Sequence, residues 1–70
     1  MDFSKPIYGE VAGFIKASIA KAYFKNHGIE YTEQLEDDYY IGNFYVFKFP
    51  ELTKEQLEMA TKYTEVKFYQ

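Results

Sequence analysis

The chain has 70 residues, enough for one domain, and folding at this length buries only about 60% of the surface the unfolded chain exposes, which leaves a thin stability margin. It contains no cysteine, so disulfides and thiolate metal sites are excluded; the compensations left are dense aromatic packing, from eight tyrosines and seven phenylalanines, or self-association. Its eight basic residues are all lysine, against eleven acidic residues and a net charge of −3; arginine is the side chain suited to bidentate phosphate and guanine recognition, and its absence argues against sequence-specific nucleic-acid binding.

The segment from Met1 to Val11 lacks the basic start and apolar run of a signal peptide, and no apolar run approaches the roughly 20 residues that span a bilayer. A soluble, cytoplasmic protein without membrane association is expected. Residues 3–9 read as a first strand, weakened by Pro6, which removes a ladder donor, and by Gly9. From Glu10 to Asn26, the residues Val11, Ala12, Ile15, Ile19, Ala22 and Tyr23 recur at three- and four-residue spacing and predict a helix with that face inward and Lys16, Lys21 and Lys25 outside it. Asn26-His27-Gly28 supplies its stop, with His27 favourably placed at the negative end of the helix dipole. The same helix carries a second stripe, Gly13, Ala17, Ala20 and Phe24, whose small members allow close approach. That stripe packs either under a neighbouring element of its own domain or against another molecule, and its four residues are the candidates for self-association in a homodimer.

Ile29 to Leu35 alternates, with Ile29, Tyr31 and Leu35 on one side and Glu30, Thr32 and Gln34 on the other, Glu33 being the exception; it predicts a half-buried strand, followed by a turn at Leu35-Glu36-Asp37-Asp38. The aromatic stretch YYIGNFYVFKF, Tyr39 to Phe49, is read as one long strand bent at Gly42; the alternative uses Gly42-Asn43 as a two-residue hairpin turn. As one strand it places Tyr39, Ile41, Asn43, Tyr45, Phe47 and Phe49 on one face and Tyr40, Phe44, Val46 and Lys48 on the other. A sheet covered by helices on one side buries only one of these sets. Leu52-Thr53-Lys54-Glu55-Gln56-Leu57 then announces a second helix by a capping box between Thr53 and Gln56 and a hydrophobic staple between Leu52 and Leu57. It runs to about Tyr63, with Leu57, Ala60 and Met59 or Tyr63 inward and Glu58 paired with Lys62 outside. Thr64 to Tyr69 alternates Glu65, Lys67 and Tyr69 against Val66 and Phe68 and predicts a last strand. The sum is an α+β, two-layer, ferredoxin-like βαββαβ domain, four antiparallel strands with two helices on one face; the alternative is a three-stranded antiparallel meander with two helices.

Catalytic and metal motifs are not found. His27, the single histidine, belongs to a helix end; Glu36, Asp37 and Asp38 lack the alternating ligands and distal glutamate of a calcium loop; there is no phosphate-cradling glycine loop, nucleophile elbow or cysteine nucleophile. A non-enzymatic protein without cofactor or metal is expected. Gly42-Asn43-Phe44-Tyr45-Val46 loosely resembles the third-strand octamer of the RNA-recognition motif, a resemblance covering about eight residues that would imply base stacking on strand aromatics. The chain departs from that family's pattern at Ile41, where a basic residue is usual, at Asn43, where an aromatic is, and at Pro6 in the segment of the first-strand motif. Single-strand nucleic-acid binding is therefore a lesser alternative.

Charge is uneven along the chain. Residues 29–51 hold only Lys48 against Glu30, Glu33, Glu36, Asp37, Asp38 and Glu51. Carboxylates interleaved with tyrosines suit docking on a basic protein surface, the charges steering encounter and the rings serving as anchors. The partner-binding candidates are Glu30, Glu33, Glu36, Asp37, Asp38, Tyr39, Tyr40 and Tyr45. In size and character the chain is similar to phage-encoded inhibitors of host or defence proteins and to antitoxins; a small oligomeric binder of a metabolite or nucleotide is the other class the composition permits.

Overall fold

In the computed structural model, which describes residues 1–35 and 44–70, the elements follow in the order β1 (Ile7–Ala12), α1 (Phe14–Asn26), β2 (Thr32–Leu35), β3 (Phe44–Phe49), α2 (Lys54–Tyr63) and β4 (Lys67–Tyr69). The sheet order is β2-β3-β1-β4 with every neighbouring pair antiparallel. β1 and β2 are therefore parallel, joined through α1 with β3 inserted between them, and β3 and β4 are parallel, joined through α2 with β1 between. Two interleaved βαβ units in a two-layer α+β sandwich are the expected ferredoxin-like architecture. The meander alternative is excluded, because β1 lies at the centre of a four-stranded sheet.

The first strand is displaced from its expected position. It starts only after Pro6 and runs on through Glu10, Val11 and Ala12, residues expected in the helix. Three consecutive pairs with β4 and six with β3 hold it, and Val11 is buried in the core on the same face as Ile7. The break comes at Gly13, whose φ of 105° turns strand into helix in a region other residues rarely enter. α1 thus begins four residues later than the periodicity suggests.

Its buried face is also the opposite of the expected one. Ala17, Ala20 and Phe24 are buried, while Ile15 and Ile19 stand exposed and Tyr23 lies between. The sheet beneath is filled by Phe47 and Phe49, so only a helix presenting alanines comes close enough to close the layer. The small-residue stripe therefore packs inside its own domain, and Ala17, Ala20 and Phe24 are not available to a second copy; Gly13 serves as the helix N-cap.

In β3, Tyr45, Phe47 and Phe49 pair with Val11, Gly9 and Ile7 on the helix side, and Phe44, Val46 and Lys48 point to the other face, where Val46 is nevertheless buried. Residues 39–43, and with them the choice between long strand and hairpin, lie outside the described residues. α2 opens with the expected capping box: the Thr53 hydroxyl accepts from the Gln56 N–H at 3.1 Å and the Gln56 side chain accepts from the Thr53 N–H at 2.9 Å. Leu52 is buried beside it and Leu57 half-buried, but Met59 and Tyr63 are exposed. Glu58 and Lys62 do not pair; the Lys62 ammonium lies over the Tyr63 ring, 5.5 Å from its centre. The last strand alternates as expected, with Val66 and Phe68 on the core side.

Gly9 sits between Phe47 and Phe68 in the ladder, and a Cβ there would fall 2.6 Å from Val66 Cγ1 and 3.2 Å from the Phe49 ring. Gly9→Ala is expected to destabilise the fold by about 1–3 kcal/mol through overpacking, read from urea unfolding. Phe24→Ala is expected to cost about 3–5 kcal/mol. Ile15→Ala, at an exposed site, should stay within about 0.5 kcal/mol of the parent; a loss comparable to that of Phe24→Ala would place the core on the other helix face.

Candidate functional site

The acidic candidates fall into separate places. Glu33 is on β2, an outer strand that pairs with β3 alone among the described residues, and its register opposite Phe47 directs it to the helix side. There it meets Lys21 of α1 at 2.9 Å. The same ammonium lies 5.4 Å from the centre of the Tyr45 ring. Lys21, Glu33 and Tyr45 form one cluster that ties α1 to the β2–β3 edge, and Tyr45 is half-buried in it instead of standing on an exposed aromatic row. The Glu33 carboxylate, by hydrogen bond and then by charge, raises the Lys21 pKa above 10.5, against the opposing effect of partial desolvation.

Glu30 lies at the other end, in the connection between α1 and β2. It lines a wide depression of about 810 Å³ together with Glu51, Phe3, Pro50, Leu52 and Lys54. Among the described residues neither Glu30 nor Glu51 takes part in an ion pair or hydrogen bond. Phe3 is held at the rim by the chain ends: the Gln70 side chain accepts from the Asp2 N–H at 2.8 Å and donates to the Asp2 carbonyl at 2.6 Å. Two hydrogen bonds from Ser4, side chain and backbone, lower the Asp2 pKa and close the turn behind Phe3. Glu51 and Phe3 carry no signal in local sequence that joins them to Glu30; the fold brings together residues 3, 30 and 51. Glu36, Asp37, Asp38, Tyr39 and Tyr40 lie outside the described residues.

No family model, curated protein or solved structure matches the chain.

On the sheet face away from the helices, Tyr8 stacks on Tyr69 with ring centres 5.8 Å apart. β3 contributes Phe44, Val46 and Lys48 there, so its central outward position is aliphatic and buried where a base-stacking platform needs an exposed ring. A second depression of about 410 Å³ opens at the end of this face, lined by Glu10, Lys16, Phe44, Glu65 and Lys67. Its charges are of both signs, with Lys16 and Glu65 paired at 3.0 Å. His27 caps α1 and packs on Tyr23, ring centres 4.1 Å apart, as a helix-end residue. Among the described residues no group of three His, Cys, Asp or Glu side chains is placed to hold a metal ion, and no helix is long and apolar enough to cross a membrane.

The Lys21–Glu33 pair is partly exposed, so a double-mutant cycle with Lys21→Met and Glu33→Gln should give a coupling of about 0.5–1 kcal/mol at neutral pH, falling in about 1 M salt. Because the Lys21 pKa is raised on folding, this contribution is fully present below about 10.5 and is lost as pH rises past that value. Chemical unfolding of the four proteins at pH 7 and pH 11.5 measures both.

Proposed function

We propose that the chain is a cytoplasmic, non-enzymatic protein-binding module that docks a basic surface of another protein through its acidic residues, at the Glu30–Glu51 depression and along β2, with the run Glu36-Asp37-Asp38 that follows β2 in the sequence adding to the negative charge. The observation that carries this reading is the pair of carboxylates, Glu30 and Glu51, without a partner among the described residues, which face one depression of mixed polar and apolar lining, with Lys54 on its wall, beside the exposed ring of Phe3. Such a site suits a lysine or arginine side chain, whose stem packs on Phe3 and Pro50 while its charge meets the carboxylates. Glu33 is neutralised by Lys21 and contributes less. The outer edge of β2, close in sequence to Glu30, offers backbone groups for pairing with an extended segment of the partner.

A protein that recognises a basic surface in this way competes with anionic ligands for it. That is how small acidic inhibitors of nucleic-acid-binding or defence proteins act, and the chain's size and charge fit that role. The alternatives fare less well: Tyr45, Phe47 and Phe49 of β3 are turned inward and the central outward position is Val46, and the depression at the far end of the sheet holds charges of both signs, two of them already paired with each other.

Affinity capture with the parent chain and with Glu30→Lys/Glu51→Lys tests the proposal. Both positions are exposed, and matching far-UV circular dichroism would show that the variant folds. The expected result is a basic protein retained by the parent, released as salt rises from about 0.1 to about 0.5 M, and not retained by the double variant. A partner held equally by both chains, or indifferent to salt, would contradict the assignment of the acidic edge.

A further inference from the structure

The inward turn of α1 leaves its isoleucines outside, and they do not stand singly. Ile15 and Ile19 are one helical turn apart and exposed by 73% and 55%, and Tyr23 continues the row after one more turn. The Tyr23 ring stacks on Tyr63 of α2, centres 6.1 Å apart, and Met59 lies one turn from Tyr63; these two are exposed by 54% for Tyr63 and 42% for Met59. One apolar stripe therefore crosses the outer surface of the helix layer from α1 to α2. Taking about 200 Å² for a fully exposed large side chain, it presents roughly 500 Å² per molecule, near the upper end for a single patch on a monomer.

We infer that this stripe is the interface of a two-fold homodimer. A symmetric pair would bury roughly 1,000 Å² from the stripe alone, the size at which a specific contact becomes sustainable, before the stems of flanking side chains are counted. The charges nearby are compatible with such a pair. Among the described residues Lys25 of α1 and Glu55 and Glu58 of α2 are in no ion pair, whereas Lys16 and Lys21 are held by Glu65 and Glu33, and α2 adds Lys54 and Lys62. A two-fold arrangement laying α1 of one molecule across α2 of the other brings the free Lys25 toward the α2 glutamates; α1 against α1 sets lysine against lysine. A 70-residue chain without disulfides also gains stability from covering this surface. The stripe shares no residue with the Glu30–Glu51 depression and does not depend on what that depression binds; a dimer would carry two such depressions.

Sedimentation velocity and light scattering up to about 1 mM chain test the inference. The parent is expected to approach twice the 8.3 kDa chain mass. Ile15→Glu and Ile19→Glu, at exposed positions that leave the core untouched, should each raise the dimer dissociation constant at least tenfold, and Glu58→Lys should raise it by a smaller factor. Amide NMR shifts on dilution should move along the outer faces of α1 and α2. A parent chain that stays monomeric at about 1 mM overturns the inference, and so does a dimer whose dissociation constant is unchanged in the folded Ile15→Glu/Ile19→Glu double variant.

Discussion

Phe24 stands edge-on to Phe47 and Phe49, ring centres 5.6 and 5.0 Å away, and Tyr31 closes the group at 5.3 Å from Phe24 and 5.5 Å from Phe47. Three elements meet in this cluster: α1 supplies the central ring, β3 the two beneath it, and the connection into β2 the fourth. Edge-to-face contacts of this kind add to area burial and fix relative angles, because the positive rim of one ring seeks the negative face of the next. In a chain with no disulfide, the cluster does the work of a staple. It also determines what the rest of α1 can be. With rings of that size on the sheet, the helix closes on it through Ala17 and Ala20 and sends its larger aliphatic residues outward.

The candidate surfaces follow from the same constraint. Tyr31, locked against Phe24 and Phe47, sets the course of the chain just after Glu30, so the position of that carboxylate is a consequence of core packing. Glu51 is fixed independently by the turn into α2, where Leu52 is buried and Thr53 caps the helix. Gln70 ties the C-terminus to Asp2 and places Phe3 beside both. None of the three belongs to a motif. A depression with two carboxylates that find no partner among the described residues arises because separate structural devices end at the same corner.

Among the described residues, carboxylates without a partner stand beside the depression, at Glu30 and Glu51, and on α2, at Glu55 and Glu58, while exposed apolar side chains run along the outer face of the helices. Where the two kinds meet, at Lys21, Glu33 and Tyr45, they satisfy each other and offer little to a partner.

Local chemistry was readable directly. The Thr53–Gln56 capping box, the alternation ending in Val66 and Phe68, the stop after Asn26 and the βαββαβ order all depend on neighbours within about four residues, and physical rules of that range fix them. The acidic character of residues 29–51 is likewise a property of the sequence alone. The face that α1 buries was not readable, because two stripes of comparable period compete on it and only the volume available above Phe47 and Phe49 chooses the alanines. The start of β1 was missed for a related reason: Glu10, Val11 and Ala12 satisfy a helical period locally, and pairing with β3 and β4, more than thirty residues away, outweighs it. The Phe3–Glu30–Glu51 corner and the Ile15-to-Met59 stripe exist only where distant segments converge. Tertiary structure decided them, since which side chains share a surface is set by packing across the sheet and leaves no mark in the spacing of residues along the chain.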